Sequence, residues 1–151
     1  MADLSFTIHL CISQKEYEAT AAGMQAMLEG LGNNIIKHLG DIELGKSLRI
    51  FLQDAQGKVV GGIAGDIFGG WVYISLLWVD ETLRNQGYGA ELLKRLEAEA
   101  INLGCKHAHV DTYSFEARPF YERASYEVFG VLDDYPTGYQ KYFLKKTLIG
   151  G

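Results

Sequence analysis

Arg84-Asn85-Gln86-Gly87-Tyr88-Gly89-Ala90 stands between an apolar strand-like run, Trp71 to Val79, and a strongly patterned helical stretch, and its reading decides the fold. Two glycines at such a junction let the backbone turn tightly and approach a ligand without a Cβ in the way. The first turn of the helix that follows leaves amide N–H groups without intrahelical partners, aligned with the positive end of the helix dipole. An anion is the natural occupant, and the stretch reads as a pyrophosphate cradle. The plainer alternatives are that Gly87 and Gly89 only shape a turn and that Arg84 is a solvated surface charge.

Spacing separates the folds that use such a turn. At the cradle no Gly-Lys-Ser/Thr follows as the P-loop requires, and Gly45-Lys46-Ser47, which carries those letters elsewhere, is set aside. The dinucleotide pattern G-x-G-x-x-G fails because Leu92 stands where its third glycine belongs. What remains is R-x-x-G-x-G/A, preceded by Leu76-Leu77-Trp78-Val79-Asp80-Glu81. Downstream lies Ser114-Phe115-Glu116-Ala117-Arg118-Pro119-Phe120-Tyr121-Glu122-Arg123, an alanine shortly before a Phe-Tyr-Glu-Arg run.

Together these two stretches resemble the GNAT superfamily, the acyl-CoA-dependent N-acetyltransferases, over about residues 48 to 147. Ala124-Ser125-Tyr126 departs from the Leu-Gly-Phe usual in that family. The resemblance implies a mixed α/β (α+β) fold, a central, mostly antiparallel mixed sheet of about six or seven strands flanked by helices. It implies transfer of an acetyl group from acetyl-CoA, as cosubstrate, to a primary amine of a small molecule or peptide, with no metal. Arg84, Asn85, Gln86, Gly87, Tyr88, Gly89 and Ala90 would hold the pyrophosphate. Leu77, Trp78 and Val79 would offer main-chain groups to the pantetheine arm and the thioester carbonyl. Ser114 stands where many relatives carry an Asn facing the pantetheine, and its shorter hydroxyl puts that contact in doubt.

Tyr121 takes the place of the general acid, with a phenol of pKa about 10 that stays protonated at neutral pH. A tyrosine there could equally serve the core. For the base, His107, His109 and Asp111 alternate along one strand and so project from one face. His109 aligns with a carboxylate that serves as base in some relatives, and an imidazole of pKa near 6.5 suits the task. A structural histidine, Asp111, Glu81 or a relaying water are the alternatives.

Outward from the cradle the chain reads as one domain over 1–151, long enough to bury roughly two-thirds of its unfolded surface. With 48% hydrophobic and 22% charged residues it is an ordinary globular composition. Its net charge of -5 argues against a general nucleic-acid surface and mildly favours a cationic amine. The N-terminus shows no basic region before an apolar run, no segment approaches the ~20 apolar residues of a membrane span, and a cytoplasmic location is expected. Cys11 and Cys105 lack C-x-x-C spacing and are expected as reduced packing residues.

Phe6 to Leu10 alternates as a first strand, and Ser13 with Glu16 forms a capping box for a helix over 14–30. Leu31 to Lys46 is glycine-punctuated, with a helical turn at 35–39. Leu48–Gln53 and Val59–Ile67 form a hairpin, weakened by Gly61, Gly62 and Gly65, which suggest a bulge or a close neighbour. A helix over 87–103 ends at Gly104, followed by a strand over 106–112, a short helix at 116–123, and strands over 126–131 and 140–145. Substrate contacts are expected from residues 14–47 and from the acidic, aromatic loop 133–139. That loop could also be a homodimer contact or a solvent-exposed turn. Besides the enzyme, the sequence admits a binding module that keeps the acyl-CoA site without catalysis, and a nucleotide-binding protein.

Overall fold

The computed structural model describes residues 4–40 and 45–149. Contacts gather them into two units, residues 1–44 and 45–151. In the first, Ser13 caps α1 (Gln14–Ala19) in the expected reciprocal pair, its N–H donating to the Glu16 carboxylate at 2.8 Å. The one helix expected over 14–30 is two, α1 and α2 (Ala21–Leu39). Thr20 makes the break, because its hydroxyl donates to the Glu16 carbonyl at 2.9 Å and bends the ladder there. Glycines inside a helix cost about 1 kcal/mol each, which weakens a helix without fixing its end. So α2 passes Gly30 and stops at Gly40, where φ is 76°. Phe6 to Leu10 belongs to no strand. Alternation supplies a face but no hydrogen-bonded neighbour, and just beyond it the Ile12 N–H turns to the Glu16 carboxylate at 2.9 Å.

The second unit holds a six-stranded mixed sheet of order β1-β2-β3-β4-β6-β5. Its strands are β1 (Lys46–Gln53), β2 (Val59–Phe68), β3 (Trp71–Val79), β4 (His107–Tyr113), β5 (Glu127–Asp133) and β6 (Gln140–Thr147). Every pairing is antiparallel except β3 with β4, which are joined by the crossover helix α3 (Tyr88–Asn102). This is the expected mostly antiparallel mixed sheet with its first strand missing. Leu92, Leu93, Leu96 and Ala100 form the buried stripe of α3, packed with Ile63, Val72, Ile74, Ala108, Val110 and Leu144. Gly104, at φ 92°, carries the chain out of α3 as expected of a C′ residue. Cys105 is fully buried in that core with a free thiol, and Cys11 is a half-buried free thiol. None of the helices among the described residues is long and apolar enough to cross a membrane.

One irregularity positions everything that follows. Ala64 pairs with Leu76 and Gly65 with Ile74, so Ser75 is an extra residue in β3, a β-bulge. The bulge reverses the side-chain phase of the strand. Val72 and Ile74 face the core before it, Leu77 and Val79 after it, and Leu76 and Trp78 are thrown to the exposed side. At the same point the parallel ladder ends: β3 and β4 pair only over Trp71–Ile74 and His107–Val110. Beyond it Leu76–Val79 pairs with β2 alone and Asp111–Tyr113 with β6 alone, so a wedge opens between the two strands.

The glycines opposite the bulge are there for contact. A Cβ on Gly65 would lie 2.8 Å from Val72 Cγ2 and 3.2 Å from Leu96 Cδ1, and one on Gly62 would lie 2.9 Å from the Ile50 carbonyl oxygen. Gly65→Val should therefore destabilise the fold by about 1–3 kcal/mol in chemical denaturation. An unchanged midpoint would contradict this packing.

Candidate active site

Where β3 ends, Asp80 caps a 3-10 turn (Glu81–Leu83) by accepting the Thr82 N–H at 3.0 Å. Those hydrogen bonds from Thr82 hold the Asp80 carboxyl below its ordinary pKa. Asn85 at φ 61° and Gly87 at φ 87° then turn the chain into α3. No side chain caps this helix, and its first internal bond runs from Glu91 N–H to Gly87 C=O at 3.0 Å. The amides of Tyr88, Gly89 and Ala90 therefore point out of the helix end with no partner among the described residues. They open into a cleft of about 420 Å³, whose wall includes Val79, Arg84, Asn85 and the backbone of Gly87 to Ala90. Outward amides at a concave helix start are the arrangement that favours an anion.

Arg84 serves it in two ways. Its Nε donates to the Val79 carbonyl at 3.1 Å, which ties the cradle to the end of β3, and its guanidinium lines the cleft. Arg123, in the last turn of α4 (Arg118–Arg123), lines the same cleft, with Phe120 and Leu83 as apolar wall, and none of the three is singled out by the sequence as a cofactor residue. Arg123 stands inside the quoted Phe-Tyr-Glu-Arg run, so the signal was present; only the docking of α4 beside α3 makes it useful.

Four of the expected cofactor residues do not line this cleft. Gln86 turns its amide back to the Thr82 carbonyl at 3.3 Å. Ser114 closes β4 onto β6, its N–H donating to the Gln140 carbonyl at 2.8 Å and its hydroxyl accepting the Gln140 N–H at 3.1 Å. Leu77 packs on the core, and Trp78 lines a separate apolar cleft with Phe51 and Gly62. The phase reversal at Ser75 accounts for both: it brings Val79 to the cradle wall and turns the Trp78 indole away. Leu77 and Trp78 are expected to act only through main-chain groups, and these side-chain directions do not bear on that expectation.

Tyr121 is the one buried residue of α4, 4% exposed, edge-on to Phe120 and Tyr126 with ring centroids 5.0 and 5.6 Å away. Among the described residues its hydroxyl makes no hydrogen bond, while the Tyr126 hydroxyl is the enclosed polar side-chain atom left without a partner. Burial, then the negative charges of Glu116 and Asp111, push the Tyr121 phenol well above its ordinary pKa. Thr112, inward on β4, accepts the Ala117 N–H at 3.2 Å and so anchors the start of this short helix.

His107, His109 and Asp111 do share one face of β4, as the alternation predicts, and Ala108, Val110 and Thr112 fill the other. That places His109 on the side of the sheet away from the buried Tyr121, so acid and base candidates do not meet in one cleft. His109 stacks on Tyr73 at 4.9 Å and meets Trp71 edge-on at 5.8 Å. Burial lowers its pKa below 6.5, against an opposing pull from Asp111. Asp111 is engaged: Tyr73 Oη donates to it at 2.8 Å and Lys141 Nζ lies 3.5 Å away. Burial and that bond push the Tyr73 phenol up to about 12. Glu81 sits in the 3-10 turn beside the cradle.

Two other expectations bear on the site. Loop 133–139 does help hold a cation, but it is the chain's own: Lys141 Nζ lies 4.8 Å from the centre of the Tyr135 ring and 5.7 Å from that of Tyr113. In the stretch 14–47, residues 41–44 lie outside the described residues. Gly40 to Ser47 does meet the full P-loop spacing, but there the chain leaves helix α2 and enters strand β1 at Lys46, the reverse of the strand-to-helix order a P-loop needs. Among the described residues no three His, Cys, Asp or Glu side chains are grouped to hold a metal.

The fold is a mixed sheet that parts between two parallel strands, with an uncapped helix beside the gap, and comparison with known proteins places it. Residues 27–126 match the acetyltransferase (GNAT) family. Blasticidin-S acetyltransferase of Streptomyces morookaense is 37% identical over 94 residues, 62% of this chain and 69% of that protein. An acetyltransferase structure from Bacillus cereus superposes with a TM-score of 0.76 at 28% identity, covering 93% of this chain and 97% of that one. An aminoglycoside 6'-N-acetyltransferase solved with coenzyme A shares the fold at 19% identity, with a TM-score of 0.63 over 70% of this chain and 74% of that one. The chain belongs to the GNAT acetyltransferase family, and it is an acetyltransferase.

Titration of His109 tests the electrostatics directly. Its ring resonances should report a pKa below 6.5, and Asp111→Asn, by removing the opposing carboxylate, should lower it further. A rise in the variant would contradict the assignment.

Proposed function

We propose that residues 1–151 act as one domain that transfers the acetyl group of acetyl-CoA to a primary amine of a small molecule or peptide. The family match runs from residue 27 to 126 and so crosses from the first unit into the second. The observation that carries the proposal is the coincidence of three features at one place: the bulge at Ser75, the end of the β3–β4 ladder, and the uncapped start of α3. The chemistry of the donors fits the cosubstrate. Three outward amides, Arg84 and Arg123 suit a pyrophosphate, and the relative solved with coenzyme A supports that ligand. When bound, acetyl-CoA supplies an activated acyl group as a thioester.

The chain's own residues do the rest. Main-chain groups of β3 beyond Ser75 face the wedge without a β4 partner, and they orient the acyl carbonyl and polarise it by hydrogen bonding. Tyr121 keeps its proton at neutral pH and offers it to the departing sulfur. Because a thiol of pKa about 8.5 is the stronger acid, full transfer from even an unperturbed phenol is uphill by about 2 kcal/mol. The hydroxyl therefore acts first as a hydrogen-bond donor to the developing thiolate. His109, neutral at physiological pH, accepts the amine proton from the opposite face, directly or through water.

One observation favours the second reading, a binding module without catalysis: Asp111, one of the carboxylate alternatives for the base, is held by Tyr73 and Lys141. A thiol-release assay with acetyl-CoA and a panel of amines separates the two. Turnover is expected, with Tyr121→Phe lowering kcat at least about a hundredfold and sparing acetyl-CoA affinity. Tight CoA binding with no turnover would favour the module. Gly87→Val, forced to φ 87°, should abolish CoA binding and leave the fold largely intact; an unchanged affinity would remove the cradle from the account.

A further inference from the structure

On the face of the sheet away from α3, a further cleft of about 410 Å³ lies beside the wedge, walled by Asp66, Phe68, Trp71, Tyr73 and His109. Its construction follows from the ladders. Asp66 on β2 stands opposite Tyr73 on β3, and Tyr73 stands opposite His109 on β4, so one carboxylate and two rings are set side by side across three strands. Trp71 stacks on His107 at 4.5 Å and turns its edge to His109 at 5.8 Å, while His109 lies stacked on Tyr73 at 4.9 Å, which fixes the rings in place. Asp66 Oδ1 accepts the Ser47 hydroxyl at 2.8 Å, which orients the carboxylate and leaves its charge.

None of the residues lining this cleft is a lysine or arginine, and burial keeps His109 neutral. Aromatic faces and one oriented carboxylate attract a positive group, planar guanidinium above all, and repel an anion. The comparable aromatic cluster at Tyr113 and Tyr135 is already filled by Lys141, so it does not compete for an external cation. The cleft is also close to the chemistry. Ser75, where the wedge opens, is two residues beyond Tyr73, about 7 Å at the usual strand rise, which is the reach of a short alkyl spacer.

We propose that the acetylated amine belongs to a molecule with a second cationic group, and that the Asp66, Trp71 and Tyr73 cleft binds that group while the amine reaches the wedge. This rests on the transferase reading above and adds the substrate class to it. The Asp66, Trp71 and Tyr73 side chains act as a specificity site and take no part in bond making, which falls to His109 at the rim they share with it.

The test compares agmatine, a primary amine carrying a guanidinium, with N-(4-aminobutyl)urea, its uncharged counterpart of the same shape. Thiol release from acetyl-CoA is measured for both with the full chain. Agmatine should have the higher kcat/KM by about tenfold or more, expressed mainly in KM. Asp66→Asn, which keeps the hydrogen bond to Ser47, and separately Trp71→Leu, should bring the ratio of the two substrates towards one. Because the measured quantity is a ratio within one preparation, a partly folded variant does not disturb it. A ratio near one in the wild type, or a ratio that both variants leave unchanged, would overturn the inference while leaving the transferase intact. No thiol release with any amine would overturn the transferase reading and this inference with it.

Discussion

The extra residue at Ser75 is the constraint on which the rest of this structure depends. A regular β3 would continue its parallel ladder with β4 and present Leu76 and Trp78 to the core. With the bulge, the ladder stops at Ile74 and Val110, Leu77 and Val79 take the inward positions, and backbone groups are left free along a wedge. Unpaired strand edges are normally a liability that proteins cover. Here the edge is short, interior to the sheet, and directly before the turn that starts α3.

The packing explains how such an interruption is tolerated. Leu93 and Leu96 of α3 are fully buried, and Gly65 lets Val72 and Leu96 close over the point where β2 and β3 slip in register. The helix is thus held by its middle while its N-terminal amides stay open. That division lets one element both seal the core and present open amides of the kind that suit an anion. The Arg84 to Val79 hydrogen bond then ties the turn before those amides to the end of β3, beside the wedge.

Much of this was legible in the residues. The glycines at 87 and 89 marked the turn into α3, the leucine period placed the stripe of α3, and alternation placed His107, His109 and Asp111 on one face. The bulge was not legible in detail, because Trp71 to Val79 is apolar almost throughout and carries no phase that a one-residue insertion would visibly break. The side chains of Leu77, Trp78 and Val79 therefore take directions that the apolar run does not reveal, with Val79 at the cradle wall and Trp78 turned to a separate cleft. The side chains of Ser114 and Gln86 bond to nearby backbone, at Gln140 and Thr82, and sequence spacing does not say which partner a side chain takes. Phe6 to Leu10 shows the converse, a strand-like pattern with no ladder to join. The P-loop letters at Gly40 to Ser47 show how little a string means when helix and strand flank it in the wrong order.

The central claim is that the open amides of α3 and the free edge of β3 bind one ligand together. Amide NMR shifts recorded while CoA is titrated into the chain test it most directly. The resonances of Gly87 to Ala90 and of Ser75 to Val79 should move in a single saturable process with one shared affinity. Shifts at the cradle that leave Ser75 to Val79 unmoved, or two separate affinities, would contradict it.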